Sequence, residues 1–254
     1  MKCNEQVSES PLWNDREVEV HSIWSTIQGE GPFAGCPAVF VRLSGCNLQC
    51  PYCDTDYTSH RRLRGIPEVG EAISLVGKGR IPLVVITGGE PFRQARGLYE
   101  LTRHLVHQRG FVVQIETNGI CSDAESLTLM HQEFTTSWAS MAPNPCIVCS
   151  PKTPVISPAL VPLVYAWKYV LAAGQVSEED GLPLHVLENK HRRPERPPRS
   201  LMDDDEAKML RVWVQPMDEQ NPMLNHGHLM AAVNSCRTYG YRLGIQIHKL
   251  IGVA

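Results

Sequence analysis

The 254-residue sequence lacks an excess of basic residues and lacks any long apolar run. Lys and Arg together number 24 and Asp and Glu 27, which gives a formal net charge of −3 at pH 7. This balance argues against the basic surface that nucleic-acid-binding proteins present to phosphates. No apolar segment approaches the roughly 20 residues of a membrane-spanning helix. We therefore expect neither direct nucleic-acid binding nor insertion into a membrane.

Cysteine is plentiful, but its distribution does not suit a disulfide scaffold. The chain holds nine cysteines, an odd number, and its first residues contain no apolar signal core. Disulfide-rich secreted domains are short and pair their cysteines. We therefore expect reduced thiols and a cytoplasmic location. The polar residues 1–17 are predicted to form a loose N-terminal arm.

Apolar runs alternate with helical patterns along the rest of the chain, which is predicted to form a single domain over residues 1–254. Strands are predicted at Val18–Trp24, Ala38–Leu43, Pro82–Thr87, Phe111–Ile115, Cys146–Cys149, Trp167–Leu171, Arg211–Val214 and Leu243–Ile247. Helices are predicted at Pro67–Val76, Gln94–Gln108 and Leu224–Tyr239. This alternation indicates an α/β fold with a parallel sheet.

One polar segment, residues 188–205, interrupts the alternation. It combines prolines with blocks of arginine and aspartate. Such a composition buries too little apolar surface to offset the entropy lost on ordering. The segment is therefore predicted to be a solvated, mobile insertion outside the active site.

Three cysteines, Cys46, Cys50 and Cys53, follow the second predicted strand at the spacing C-x3-C-x2-C. A structural zinc site requires four ligands, whereas three thiolates on one loop suit a 4Fe-4S cluster whose fourth iron stays open. A further C-x2-C pair, Cys146 and Cys149, lies in a predicted strand, where side chains three residues apart point to opposite faces. We therefore predict an iron-sulfur site at the first loop and packing roles for the second pair.

Polar sequences also follow the other strands. They include Gly88-Gly89-Glu90-Pro91, Glu116-Thr117-Asn118-Gly119, Ser150-Pro151-Lys152 and Gln246-Ile247-His248-Lys249. Functional groups of parallel α/β folds gather at the C-terminal ends of strands, so these sequences are predicted to surround one site. Each has an ordinary alternative, since a lone glutamate is commonly solvated and a histidine after a strand is as often a core residue.

Together these motifs resemble those of the radical S-adenosylmethionine (SAM) enzymes, and more narrowly those of the 7-carboxy-7-deazaguanine synthase family. The cysteine loop and Gly88-Gly89-Glu90-Pro91 are superfamily features. The narrower resemblance lies in Gln28-Gly29-Glu30-Gly31, Cys53-Asp54-Thr55, Glu116-Thr117-Asn118-Gly119, Ser150-Pro151-Lys152 and Ile247-His248-Lys249. It implies an incomplete (β/α)6-type TIM barrel with a radical SAM core.

The resemblance also implies a reaction. A 4Fe-4S cluster on Cys46, Cys50 and Cys53 would bind SAM, and one-electron cleavage of SAM would yield a radical. That radical would take hydrogen from 6-carboxy-5,6,7,8-tetrahydropterin, whose ring would contract with loss of ammonia to 7-carboxy-7-deazaguanine. The product would serve queuosine or another 7-deazapurine. Flavodoxin or ferredoxin would donate the electron, and the enzyme would be a homodimer.

The same resemblance implies roles for individual residues. SAM would be held by Gly88, Gly89, Glu90, Glu116, Ser150 and Lys152. The pterin would be surrounded by Gln28, Glu30, Arg42, Thr87 and His248. Magnesium would bind the Thr55 hydroxyl and the substrate carboxylate, since a hard cation prefers oxygen ligands. No catalytic acid or base is predicted, because an alkyl radical needs only a held substrate.

Two alternatives remain open at this point. A radical SAM activase would take hydrogen from a glycine of a partner protein, although the sequences around Glu30 and Thr55 argue against it. A zinc-stabilised binding module would use Cys36 together with the three cysteines of the loop. The colour of an anaerobic preparation would separate brown iron-sulfur from colourless zinc protein.

Overall fold

The computed structural model describes residues 15–50, 53, 55–134, 138–139, 142–186 and 192–253. Its strands are β1 Glu17–Ile27, β2 Pro37–Leu43, β3 Arg62–Gly65, β4 Leu83–Gly88, β5 Val112–Thr117, β6 Trp138–Ala139, β7 Ala142–Pro143, β8 Cys146–Cys149, β9 Val164–Leu171, β10 Val212–Pro216 and β11 Arg242–Leu243. Its helices are α1 Ile66–Val76, α2 Ala95–Arg103, α3 Ala124–Phe134, α4 Arg199–Met202, α5 Asp205–Arg211, α6 Pro222–Tyr239 and α7 Ile247–Leu250. Among these described helices, none is both long and apolar enough to cross a membrane.

One large sheet organises the described part of the chain. Its strand order is β11-β10-β9-β8-β5-β4-β2-β1-β3, and neighbours from β2 to β11 are parallel. The β1 strand runs antiparallel to both β2 and β3. The parallel core thus consists of β2, β4, β5, β8, β9 and β10, and the outer strands β11 and β3 do not pair with each other. This open parallel sheet agrees with the predicted incomplete (β/α)6-type barrel.

Burial on both faces explains the apolar character of the central strands. Leu83 to Ile86 in β4 are all buried, as expected for a parallel strand covered on two sides. Cys146 and Cys149 in β8 are completely buried, but they belong to different apolar clusters. The two side chains therefore lie on opposite faces of the sheet, which confirms their predicted packing roles.

The C-terminus and one helix differ from the prediction. The predicted strand Leu243–Ile247 is wrong beyond Leu243, because the chain turns there and α7 begins at Ile247. In its new direction the Ile247 N–H donates to the carbonyl of Gly29 at 3.2 Å. Helix α3 was not predicted, although its buried residues Leu127, Met130 and Phe134 have helical spacing.

Both polar segments have different boundaries from those predicted. Residues 1–14 and 188–191 lie outside the described residues, and β1 already begins at Glu17. Pro194 and Pro197 are buried, and the Tyr169 hydroxyl donates to the carbonyl of Glu195 at 2.7 Å. The segment is therefore not solvated at these positions, although about half of residues 192–205 are exposed. Both prolines are covered by the rest of the protein, and the Glu195 carbonyl between them is bonded to the buried Tyr169.

Candidate active site

The C-terminal ends of the parallel strands surround a cavity of about 730 Å³. Parallel strands place their last residues along one edge, so loops distant in sequence meet there. Every residue predicted for the site lines this cavity except Glu90. The lining residues among them are Gln28, Glu30, Arg42, Cys46, Cys50, Cys53, Thr55, Thr87, Gly88, Gly89, Glu116, Ser150, Lys152 and His248.

The double glycine after β4 packs directly on the cysteine loop. A Cβ on Gly88 would lie 2.2 Å from the carbonyl oxygen of Leu43, and one on Gly89 would lie 2.0 Å from that of Gly45. Gly88 also has a φ of +144°, which side chains disfavour. The next N–H, that of Glu90, donates to the Gly45 carbonyl at 2.9 Å. Glycine is thus required for the loop and the strand end to meet.

The three cysteines of the loop face the cavity together. Cys46 is buried, and Cys50 and Cys53 are half-buried. Burial, helped by the nearby Glu90, Cys50 and Cys53 and opposed by a hydrogen bond from the Leu48 N–H, raises the pKa of Cys46 to about 12. Iron would replace the protons on such thiols. Three neighbouring thiols on one loop fit a 4Fe-4S cluster, in which each sulfur binds a different iron.

The zinc alternative that adds Cys36 to this loop is wrong on geometric grounds. Cys36 is exposed and precedes β2, whereas Cys46 follows the same strand. The seven residues of β2 separate the two positions by about 20 Å at the usual rise per residue. Ligands of one zinc ion must lie within a few ångströms of one another.

Glu90 lies behind the wall of the cavity rather than in it. Its carboxylate is completely buried and accepts hydrogen bonds from the Phe92 N–H at 3.0 Å, the Thr117 hydroxyl at 2.7 Å and the Asn118 N–H at 2.7 Å. Asn118 in turn donates from its side chain to the Asn47 side chain of the cysteine loop at 2.8 Å. The structure therefore gives Glu90 a position that holds two loops together, and its contact with SAM stays a prediction.

On the opposite side of the cavity, Lys168 joins two of the predicted carboxylates. Its Nζ lies 2.6 Å from Oε2 of Glu30 and 2.7 Å from Oε2 of Glu116. Burial acts to raise the pKa of Glu30, but the charge and hydrogen bond of Lys168 outweigh it and lower the pKa to about 2. Glu30 is thus ionised at every physiological pH.

The sequence analysis missed Lys168 although a signal was present. It is a single charge within the apolar strand Val164–Leu171 and is 8% exposed. Lysine is almost never buried unless it is paired. A cation in the middle of a core strand therefore predicts a carboxylate partner.

Two polar residues of the cavity lining were given no individual role by the sequence. Asp218 and Lys249 both line the cavity and form an ion pair of 2.9 Å. The pKa of Asp218 is lowered to about 2, and the hydrogen bond from Lys249 is the largest cause. This pair ties the loop after β10 to the C-terminal helix.

A second group of predicted residues lies near the cysteine loop. The guanidinium of Arg42 lies over the ring of Trp24, 4.8 Å from its centroid, and both side chains line the cavity. Thr55 lines it too and accepts, through its carbonyl, a hydrogen bond from the Cys53 thiol at 3.5 Å. Within the described residues, no three His, Cys, Asp or Glu side chains converge on a single metal position.

Comparison with known proteins first defines a class. The model of the radical SAM superfamily matches residues 40–136, which include the cysteine loop and the double glycine. A solved structure described as QueE from Escherichia coli has a TM-score of 0.59 and 20% identity and covers 89% of this chain and 92% of that chain. The fold is therefore that of a radical SAM protein, whose cofactors are a 4Fe-4S cluster and SAM.

Two curated relatives then identify the family. The chain is 39% identical over 244 residues to a 7-carboxy-7-deazaguanine synthase from Rhodospirillum rubrum, covering 92% of each chain. It is 35% identical over 247 residues to one from Rickettsia prowazekii, covering 93% of this chain and 89% of the relative. The chain belongs to the 7-carboxy-7-deazaguanine synthase family. The resemblance seen in the sequence is confirmed, and the activase alternative is set aside.

Proposed function

We infer that this protein converts 6-carboxy-5,6,7,8-tetrahydropterin into 7-carboxy-7-deazaguanine with loss of ammonia, as a carbon-nitrogen lyase of queuosine biosynthesis. The supporting observation is the cavity. The chain matches a member of the family over 92% of its length, and its cavity has two chemically distinct sides. One side carries the three cysteines and the double glycine. The other carries carboxylates and amides suited to a nitrogen heterocycle.

The residues beside the cysteines would hold SAM. When bound, the cluster and SAM together supply a primary radical that abstracts hydrogen from the substrate. The Nζ of Lys152 donates to the Ser150 hydroxyl at 2.9 Å, and burial lowers the pKa of Lys152. A carboxylate arriving beside this amine would restore its preference for the charged form. Lys152 and Ser150, with the backbone of Gly88 and Gly89, therefore suit the amino-acid end of SAM.

The residues on the other side would orient the pterin. Gln28, Glu30 and Glu116 offer donors and acceptors for its ring nitrogens, and Thr87 lines the same cavity. Glu116, predicted to bind SAM, bonds to Lys168 beside Glu30, which supports a role for it with the pterin instead. Arg42 and His248 would face the substrate carboxylate. Holding the reactive carbon still is the protein's main contribution to radical chemistry.

Magnesium is the third proposed cofactor, with the Thr55 hydroxyl as its protein ligand. Magnesium keeps several waters and takes few protein oxygens, so loss of one hydroxyl should weaken binding without abolishing it. Thr55→Ala should therefore require about tenfold more magnesium for half-maximal turnover. This corresponds to a loss of roughly 1.4 kcal/mol of magnesium-binding free energy. Thr55→Ser should stay near wild type. An unchanged magnesium titration in Thr55→Ala would leave the hydroxyl only a role in the turn.

The partners and compartment are also proposals. The reaction needs a small-molecule pterin and a reductant, and we propose flavodoxin or ferredoxin as the donor and a homodimer as the assembly. The described cysteines are all free thiols, which suits a reducing compartment such as the cytoplasm.

The direct test is anaerobic reconstitution with iron and sulfide, followed by incubation with SAM, magnesium, dithionite and the carboxytetrahydropterin. We expect consumption of the pterin with formation of 7-carboxy-7-deazaguanine and ammonia, measured by liquid chromatography with mass detection. SAM cleavage without consumption of the pterin would overturn the proposed substrate while leaving the radical SAM class intact.

A further inference from the structure

A lysine and two carboxylates from three separate elements meet in the wall of the cavity. Glu30 lies in the loop after β1, Glu116 near the end of β5, and Lys168 in the middle of β9. The ammonium group lies 2.6 Å from one carboxylate and 2.7 Å from the other. All three side chains are at most 15% exposed. The charges are therefore shielded from bulk water and interact strongly.

The remaining carboxylate oxygens also have donors. Gln246 donates to Oε1 of Glu30 at 2.7 Å, and Gln28 and Gln114 donate to Oε1 of Glu116 at 3.4 and 2.5 Å. Every carboxylate oxygen of the pair thus has a donor that restricts its orientation. Such a fully bonded network fixes its members more firmly than any single contact would.

Charge balance makes Lys168 the central member of this network. Two carboxylates this close in a buried site would repel each other, and one of them would take up a proton. Burial acts to lower the pKa of Lys168, but Glu116 and Glu30 outweigh it and raise the pKa above the usual lysine value. Lys168 is therefore permanently charged.

Among the described residues, further titratable groups interact with the cluster. His248 favours the charged form of Glu30, and Lys152 repels Lys168 across the cavity. Glu116 acts from a distance on the thiols of Cys146 and Cys149 in the neighbouring strand, where burial raises the pKa of both thiols. Both thiols are therefore neutral. Lys168 is the group that bonds both carboxylates, so its removal cannot be compensated by these neighbours.

We propose that Lys168 is a positioning residue that holds Glu30 and Glu116 side by side as acceptors for the N–H groups of the substrate's aminopyrimidine ring. This inference rests on the proposed function, because such a ring presents an amino group and a ring N–H on one edge. Lys168 acts through the carboxylates rather than on the substrate. Without it, a shared proton would convert one acceptor into a donor, and the ring would lose a partner.

The test compares Lys168→Met with a matched control, Lys208→Met. Lys208 also pairs with a carboxylate, Asp205 at 2.8 Å, but it lies on α5 and does not line the cavity. Turnover of the carboxytetrahydropterin is measured from about pH 6.5 to pH 9, together with cluster absorbance and SAM cleavage without pterin. Binding of 6-carboxypterin, followed by the quenching of its fluorescence, gives a readout that needs no turnover.

For Lys168→Met we expect KM and the dissociation constant of 6-carboxypterin to rise by roughly 10- to 100-fold near pH 6.5, since losing one partner of a buried pair leaves an uncompensated charge. Both constants should recover towards pH 9, as the shared proton dissociates. The cluster spectrum and SAM cleavage should be unchanged. Wild type and Lys208→Met should show no such recovery with pH.

Three results bear on the proposal separately. A Lys168→Met variant whose KM differs from wild type by the same factor at every pH would overturn it, since a purely structural role predicts no pH dependence. If that variant does not fold, Lys168→Arg decides, because it keeps the charge and should keep KM independent of pH; a pH-dependent KM in Lys168→Arg would also overturn the proposal. Absence of pterin turnover in wild type would instead contradict the proposed function itself.

Discussion

At the scale of single residues, Glu90 is a carboxylate whose burial has a measurable cost. Burial raises its pKa from 4.5 to about 7, against the hydrogen bonds from Asn118, Phe92 and Thr117 that lower it. Because the folded state holds the proton more tightly than the unfolded state, the stability from this group is present below about pH 4.5. It is lost as the pH rises through about 7, by about 3 kcal/mol in all.

We therefore predict that Glu90→Gln flattens the pH dependence of stability. The wild type should lose thermal stability between about pH 5 and pH 8 more steeply than the variant, which has no proton to release there. Thermal unfolding at several pH values measures this difference. Glu125→Gln is the control, because Glu125 is exposed on α3 and should leave the slope unchanged. Equal slopes in wild type and Glu90→Gln would contradict the prediction.

The cysteines give the second prediction at this scale. A serine substitution at any one of Cys46, Cys50 and Cys53 should prevent formation of an intact cluster, because each thiolate would bind a different iron. Cys36→Ser should retain a full cluster, since Cys36 is exposed at the far end of β2. Iron and sulfide analysis after anaerobic reconstitution measures both. A full cluster in Cys50→Ser, or none in Cys36→Ser, would show that the ligand assignment is wrong.

At the scale of elements, residues 192–205 attach to the core at Pro194, Pro197 and Leu201, which are buried, while about half of the segment is exposed. Arg196 pairs with Asp180 at 2.8 Å with both side chains 22% exposed, and it also donates to the Pro183 carbonyl at 3.0 Å. Arg193 in the same segment pairs with Glu179 at 2.6 Å, but these side chains are 43% and 74% exposed. One arginine is thus a structural link and the other a solvated ion pair.

We predict that Arg196→Met lowers the free energy of unfolding by about 1 to 3 kcal/mol, since charge-assisted bonds to a half-buried carboxylate and to a carbonyl are lost. Arg193→Met should have no measurable effect. Urea denaturation of the two variants beside wild type separates the two cases. A similar loss in both variants would mean that general surface charge, rather than the Arg196 contacts, stabilises the segment.

At the scale of the whole molecule, the C-terminal residues connect the two edges of the open sheet. β11 forms one edge, β1 lies next to the other, and α7 after β11 meets the loop after β1. Gly29 in that loop contacts His248 so closely that a Cβ would lie 1.8 Å from Nδ1 of the histidine. The Glu30 side chain beside it accepts a hydrogen bond from Gln246. This contact between α7 and the loop after β1 therefore forms part of the cavity wall.

Gly29→Ala should displace His248 and separate α7 from the loop after β1. We expect a loss of about 1 to 3 kcal/mol in stability, typical of overpacking, and a clear fall in kcat/KM for the pterin with the cluster retained. Gly65→Ala is the control, because nothing lies within 4 Å of a Cβ there. Activity assays and thermal unfolding measure both effects. Wild-type kcat/KM in Gly29→Ala would show that the histidine does not need its present position.

The sequence by itself determined the fold class, most strands of the parallel core and many, though not all, of the residues that line the cavity. Strands such as β4 are readable because burial on both faces demands a continuous apolar run. The cysteine loop is readable because its ligands are close in sequence, at C-x3-C-x2-C. Both features lie within one short stretch of sequence, so the local pattern suffices to recognise them.

Only the tertiary structure decided which side chains meet. Lys168 joins Glu30 and Glu116, which lie 138 and 52 positions away, and no local pattern encodes such distances. Glu90 follows the cavity-lining glycines directly, yet its side chain points into the core, where Thr117 and Asn118 satisfy it. The prolines near Glu195 looked solvated from composition but pack where Tyr169 offers a partner. Contacts between distant elements depend on the arrangement of the sheet, which composition and periodicity do not specify.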